Sequence, residues 1–270
     1  MKIFIDTGLL EEIKEAESYG ILDGVTTNPS LMKKAVAELK KKGQKVDMEK
    51  YIQKVLKAAK GTPVSLEVIG TSYDEIVKQG KLLNKKFKKY GQVVVKVPIN
   101  PAYGKAQNDF DGIKAIKTLS DAGIAVNCTL VFTPEQALLA AKAGARYVSP
   151  FAGRVDDWIR TQAGIKFDKT DYFPAGGIET TDDVIDNCGL LSGIDLVSQC
   201  MELFEEYGYG CEIIAASIRN SRQARECALS GADIATLPFF VIRELVKHEQ
   251  TAQGMDKFCS DVVDEYKKIF

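Results

Sequence analysis

In the stretch GQVVVKVPIN (residues 91–100) a lysine interrupts a run of valines: Val93, Val94 and Val95 precede Lys96, and Val97 and Pro98 follow it. Such a run reads as a strand of a parallel sheet covered on both faces. Lysine is almost never fully buried without a partner. Burial disfavours the ammonium form, and a desolvated amine is a nucleophile near neutral pH, its natural target a carbonyl with which it forms a Schiff base. The competing reading is a lysine ion-paired to Asp6 or Glu67 inside the fold. The single histidine, His248, gives no support to a histidine-based nucleophilic triad. Chemistry therefore falls to lysine, carboxylates and hydroxyls.

A lysine in mid-strand needs a scaffold that opens the strand's end to substrate. Short apolar or β-branched runs recur along the 270 residues: KIFID (2–6), GVTT (24–27), PVSLEV (63–68), VVVKVP (93–98), IAVNCTL (124–130), RYVSPF (146–151), EIIAAS (212–217) and ADIATLP (232–238). Between them lie helical stretches such as PEQALLAAKAGA (134–145) and SRQARECALSGA (221–232), each with a glycine near its end, the usual C-terminal stop. Strand then helix, eight times over, predicts an α/β fold of the (β/α)8 TIM-barrel type. The doubly wound alternative asks for a glycine-rich turn after the first strand, and DTGLLEE has one glycine. Residues 1–270 read as one barrel domain, without a low-complexity tract or linker. Two segments exceed the repeat. The span of about 158–193, between strands six and seven, reads as an insertion, and about 245–270 reads as a helical tail after the barrel is complete.

In such a barrel the catalytic side chains come from the C-terminal ends of the strands. Asp6 ends strand one, Thr27 and Asn28 end strand two, and Glu67 is near the end of strand three. Lys96 lies within strand four, Asn127 and Thr129 on strand five and Ser149 on strand six; Ser217 ends strand seven and Arg219 follows. Together they gather carboxylates, amides, hydroxyls and one amine at one mouth. Loops that follow strands open on that same face, so the insertion is a candidate lid, with Trp158, Phe167, Tyr172 and Phe173 available to shape the site.

The 36 basic and 37 acidic residues nearly cancel, so no general field favours nucleic acid or an anionic membrane. The lysines between 33 and 60 alternate with acidic residues and read as solvated helix surface. MKIFIDTGLL carries Asp6 and no long apolar segment, unlike a signal peptide. No later window reaches the roughly 20 apolar residues of a membrane helix, so a cytoplasmic location is expected. The six cysteines form no C-x-x-C pair, which with one histidine argues against a zinc site. They read as small buried hydrophobes.

The segments FIDT, GVTTNPSL, VVVKVP, NCTLVFTPEQALLAAKAGARYVSPFAGRVDD and IIAASIRN, in this order on different strands, resemble the transaldolase family. The likeness is strongest to its short members, among them the fructose-6-phosphate aldolases, and runs from Met1 to LVKHEQTAQGMDKF, interrupted mainly by the insertion. It implies a metal-free class I mechanism on sugar phosphates, with no cofactor. Lys96 would attack the C2 carbonyl of a ketose phosphate, and the iminium would be the electron sink when the C3–C4 bond breaks. Asp6 would take the C4 hydroxyl proton, and Glu67 and Thr129 would hold a proton-shuttling water. Asn28 and Asn127 would bind the hydroxyls of the three-carbon unit. Ser217 and Arg219, where strand seven gives way to a helix, and Arg154 across the mouth would hold the phosphate, with Ser149 lining the site.

Two positions separate the subtypes on this scaffold. Transaldolases are similar to this chain in carrying Glu at 67 and Phe at 151, where the aldolases have Gln and Tyr. A tyrosine hydroxyl helps to protonate the enamine and release free dihydroxyacetone. Phe151 cannot, so the enamine would wait for an aldose phosphate. The resemblance thus implies transaldolase activity in the non-oxidative pentose phosphate pathway: sedoheptulose 7-phosphate and glyceraldehyde 3-phosphate give erythrose 4-phosphate and fructose 6-phosphate. A lyase releasing dihydroxyacetone is the alternative, and a catalytically silent phosphate-binding barrel is a third reading. Deoxyribose-phosphate aldolases resemble a barrel with the amine on strand six, here RYVSPF, and VVVKVPINP does not match the D-x-K-x-x-D pattern of phosphate-barrel decarboxylases. Short family members use the tail between subunits of stacked pentameric rings. A homo-oligomer, pentamer or decamer, is implied, with Phe258, Val262, Val263 and Tyr266 available for packing.

Overall fold

Helix starts are written into the loops that follow the strands. Asn28, Asp47, Thr133, Ser192 and Asn220 each accept the backbone N–H of the residue three positions on, which satisfies a donor that the first helical turn cannot. Pro29 and Pro134 stand in the first turn, where a missing N–H costs nothing.

A computed structural model describes residues 1–102, 108–178 and 187–270. Its elements are β1 (Lys2–Asp6), α1 (Leu10–Ser18), β2 (Gly24–Thr26), α2 (Pro29–Lys41), α3 (Met48–Ala58), β3 (Pro63–Glu67) and α4 (Tyr73–Phe87). Then follow β4 (Gln92–Pro98), α5 (Asp111–Asp121), β5 (Val126–Val131), α6 (Pro134–Lys142), β6 (Tyr147–Pro150), α7 (Ala152–Gln162) and α8 (Gly193–Glu206). The chain continues through β7 (Glu212–Ala215), α9 (Ser221–Leu229), β8 (Ile234–Leu237), α10 (Phe239–Glu244), α11 (Glu249–Ser260) and α12 (Asp264–Lys267). The strands pair in parallel in the order β1 to β8, and β8 closes on β1. The expected (β/α)8 barrel is the fold, and all eight runs read from the sequence are strands, their ends shifted by a residue or two.

Two apolar regions hold it. Between sheet and helices, side chains such as Ile13, Val25, Ile76, Ile116, Leu196 and Ile213 are fully buried. Each such residue is worth about 1.5–3 kcal/mol of transfer free energy before the entropy of ordering the chain is set against it. Inside the barrel, Phe4, Val94, Tyr147, Ile214 and Ile234 form a separate cluster.

The connection from β6 to β7 differs from the expectation in one respect. The span expected as an insertion from about 158 begins with the last residues of α7, which starts directly after β6, and α8 starts at its far end. The apolar signal of α7 is short, Val155 and Ile159 one turn apart, and its first turn is secured by tertiary contact. A Cβ on Gly153 would lie 2.0 Å from the Ser217 carbonyl, so only glycine lets α7 come this close to the chain leaving β7. After α7, the chain folds back with Arg160 between the rings of Phe167 and Phe173, at 4.9 and 5.1 Å from their centroids, and its guanidinium donating to the Asp171 carbonyl (3.0 Å). Residues 179–186 of the expected insertion lie outside the described residues. In the tail, α11 and α12 bury no residue. Among the described residues, no helix is long and apolar enough to cross a membrane.

Candidate active site

Strand register sets the first part of the site. Glu67 on β3 pairs with Lys96 on β4, and Lys96 pairs with Asn127 on β5, so the three stand in one row across the barrel. Lys96 is 4% exposed. Its ammonium group lies 3.3 Å from Glu67 Oε2 and donates to the Thr27 carbonyl at 3.3 Å. The ion pair envisaged as the bland role of Lys96 therefore exists, and it sits at the barrel mouth. Burial pushes the Glu67 carboxyl up, against the charge of Lys96, with the nearby Asp6 charge adding to the rise.

Asp6 ends β1 and shares a cavity with the amine. Burial pushes its carboxyl up as well, while Lys96, the Thr26 hydroxyl and Arg219 pull the other way. Thr26 donates to Asp6 Oδ1 at 2.7 Å and lies 2.6 Å from the Thr236 hydroxyl. Because Thr26 spends its one proton on the carboxylate, Thr236 must donate to Thr26. The result is a two-hydroxyl relay from β8 through β2 to Asp6. Nothing in the sequence singles out Thr26 and Thr236, since a threonine in a strand is an ordinary β-former.

A cavity of about 150 Å³ opens at this mouth, and Asp6, Asn28, Lys96, Ser149, Phe151, Arg154, Ser217 and Arg219 line it together with Thr26 and Thr236. Eight of the eleven expected site residues thus share one space. Of the other three, Glu67 reaches it through Lys96, and Asn127 is fully buried, donating to Ser65 Oγ at 3.2 Å and accepting from Ser149 at 2.8 Å. Thr129 is also fully buried, and its hydroxyl has no partner among the described residues. Here the pairing of β5 with β6 shifts register between Cys128 and Val131, with Leu130 at φ 58°, a bulge of the kind that re-aims side chains beside functional sites. Asn28 does two things: its side chain caps α2, accepting from Leu31 N at 2.9 Å, and lines the cavity.

Phe151 packs between two cations, with the Lys96 amine 5.9 Å and the Arg154 guanidinium 5.4 Å from its ring centre, and leans on Phe132. Each contact of this kind contributes about 0.5–2 kcal/mol, depending on desolvation. Arg154 itself is exposed, free to meet a charged group arriving from solvent. Opposite it, Ser217 holds φ 64°, an uncommon conformation for a side chain with a Cβ and one that clusters at ligand-binding turns. Trp158, Phe167, Tyr172 and Phe173 are not among the lining residues; Phe173 is buried against Arg160, and Tyr172 stacks on Arg222 at 3.5 Å. A larger groove of about 860 Å³ lies outside the barrel between α1, α2 and α3, lined by lysines and carboxylates, and contains none of the mouth residues.

An inward amine paired with one raised carboxyl and sharing a cavity with another, beside arginines on the rim, can form an imine and bind an anionic substrate. A family model described as Transaldolase/Fructose-6-phosphate aldolase matches residues 3–269. A "Probable transaldolase" of Chlorobium phaeobacteroides is 42% identical over 261 residues, covering 97% of this chain and 96% of that one. Another of that name, from Phocaeicola vulgatus, is 42% identical over 272 residues, covering 100% and 99%. A third, from Bacillus cereus, is 42% identical over 261 residues, with 97% of each covered.

Proposed function

Because the chain belongs to the transaldolase/fructose-6-phosphate aldolase family, we propose that it is a transaldolase moving a dihydroxyacetone unit between sugar phosphates through a Schiff base on Lys96. The observation that carries the proposal is the buried amine at the mouth, paired with Glu67 and sharing one cavity with Asp6. The neutral amine adds to the C2 carbonyl of the donor ketose phosphate, and loss of water gives the iminium. Glu67, with a water on the Thr129 hydroxyl, moves the protons that this addition and dehydration require. Asp6 as carboxylate then takes the proton of the C4 hydroxyl while the C3–C4 bond breaks. Its electron pair passes into the iminium to give an enamine, and an aldose phosphate leaves. In the second half the enamine carbon attacks the carbonyl of the acceptor aldose phosphate, Asp6 returns its proton to the new hydroxyl, and water frees Lys96.

Phe151 favours transfer over release. It faces the Lys96 amine with a ring and no hydroxyl, so it offers the enamine no proton. Asn28, Asn127 and Ser149 hold the three-carbon unit, and Arg154, Ser217 and Arg219 hold the phosphate. On this reading the chain is one barrel domain, with 158–193 as an insertion and 245–270 as a tail, working in the cytoplasm in the non-oxidative pentose phosphate pathway. The exposed apolar side chains of the tail, among them Phe258, Val263 and Tyr266, support a homo-oligomer in which they pack between subunits.

The test is product analysis with fructose 6-phosphate, with and without erythrose 4-phosphate, joined to borohydride trapping of the donor on the protein. Sedoheptulose 7-phosphate with acceptor, little dihydroxyacetone without it, and a trapped adduct on Lys96 are expected. Dihydroxyacetone accumulating without acceptor would make the enzyme a lyase, and no adduct would remove the Schiff base.

A further inference from the structure

Two neighbouring carboxylates on α7, Asp156 and Asp157, have no part in the reaction scheme, yet both are engaged with the loop that follows β7. The Asp157 carboxylate pairs with the Arg219 guanidinium through Oδ2. Asp156 Oδ2 accepts from Gln223 Nε2 at 2.7 Å, and Gln223 Oε1 in turn accepts from the Arg219 backbone N–H at 2.8 Å. The other Asp156 oxygen accepts from Gly193 N at 2.7 Å, at the start of α8. Arg219 is thus gripped at its guanidinium and at its backbone from one turn of one helix. Gly153, on the same helix, brings that turn against the loop, since a Cβ there would lie 2.7 Å from Arg219 Nε. Nε itself is buried without a partner among the described residues.

A negative charge beside a phosphate-binding arginine weakens the field that attracts phosphate. If charge alone mattered, Asp157 would oppose the function of its partner. What it supplies is geometry: a long, rotamer-rich side chain fixed before substrate arrives, with its remaining donors uncommitted. We propose that Asp157 is a positioning residue that aims the Arg219 guanidinium at the phosphate of the bound sugar, while Asp156 holds the backbone of the same loop through Gln223. This rests on the reading of Arg219 as a phosphate ligand. Burial pushes the Asp156 carboxyl up to about 7, against the Gly193 N–H and the charge of Arg160.

The experiment compares glyceraldehyde 3-phosphate with unphosphorylated glyceraldehyde as acceptors, at saturating fructose 6-phosphate. The readout is the ratio of their kcat/KM values, which a loss of folded enzyme does not move. Asp157→Asn is expected to lower the ratio about tenfold through KM for the phosphorylated acceptor, as small misplacements of a positioning group do. Asp157→Glu keeps the charge but displaces the guanidinium, so it too lowers the ratio, and it carries the test should the asparagine variant fail to fold. Adding Asp157→Asn to Arg219→Ala should change the ratio no further, since the two act as a unit. A ratio raised by Asp157→Asn and untouched by Asp157→Glu overturns the positioning role in favour of a charge effect. A ratio untouched by Arg219→Ala itself removes the phosphate assignment, and this inference with it.

Discussion

Inside the barrel, an apolar side chain is followed two residues later by one at the mouth on five strands: Phe4 and Asp6, Val94 and Lys96, Tyr147 and Ser149, Ile214 and Ala216, Ile234 and Thr236. The lower set is a dry cluster in which Phe4 meets Tyr147 edge-on at 6.3 Å. The upper set is mostly polar and hydrogen-bonded. Both face inward because a step of two residues keeps direction along a strand, and they lie only about 6–7 Å apart. One pleat therefore separates a plug from a reaction centre. The plug matters to the chemistry, because a packed interior keeps the Asp6 and Glu67 carboxyls buried, and burial pushes both up.

Making the upper layer as apolar as the lower is the severest break. Lys96→Met should abolish turnover, by at least about 10⁴-fold, as loss of a nucleophile does, with circular dichroism and the unfolding midpoint showing a retained fold. Turnover near the parent level would end the Schiff-base assignment. Next in size, Asp6→Asn should lower kcat by about 10²–10⁴-fold. Its pH profile sharpens the contrast: the working form is the carboxylate, so activity rises with pH through the raised Asp6 value, and the acid limb lies above the ordinary carboxylate range near about 4. A parent limb at the ordinary position, or one unchanged in the variant, would separate Asp6 from proton transfer.

Opening the lower layer tests the other half. Phe4→Ala should cost about 3–5 kcal/mol in urea unfolding, while kcat of the folded enzyme changes less than about tenfold, because the floor carries no reacting group. A kcat collapse without a stability loss would show that the two layers are not distinct in role. The smallest change adds one hydroxyl to the mouth. Phe151→Tyr places a proton donor near the Lys96 amine, and release of free dihydroxyacetone relative to transfer should rise several-fold, to about tenfold. Product ratios that do not move would mean that another group protonates the enamine.

The strands were legible because short β-branched runs between capped helices have one reading in a chain of this length, and Lys96 because an amine in such a run contradicts its surroundings. Asp6, Glu67, Asn127 and Ser149 followed from the rule that strand ends carry barrel chemistry. Thr26 and Thr236 did not, since their relay depends on residues 210 positions apart meeting when β8 closes on β1. Asp156 and Asp157 have no role legible in the sequence, because their partners Gly193, Gln223 and Arg219 come from later elements. The aromatic residues beyond α7 suggested a substrate wall from composition, but cation–aromatic stacking with Arg160 and Arg222 engages Phe167, Phe173 and Tyr172 elsewhere.

By itself, the sequence determined the eightfold strand–helix order and the chemical types carried at the strand ends, since these depend on local periodicity, caps and β-branching. Tertiary structure decided which of those groups touch. Register across β3 to β5 set Lys96 beside Glu67 and Asn127, closure joined Thr236 to Thr26 and Asp6, and the contact of α7 with the β7–α9 loop gave Arg219 its carboxylate. Those pairings are long-range. They exist only once the barrel has closed and excluded water, which is also what shifts the carboxyl groups on which the chemistry depends.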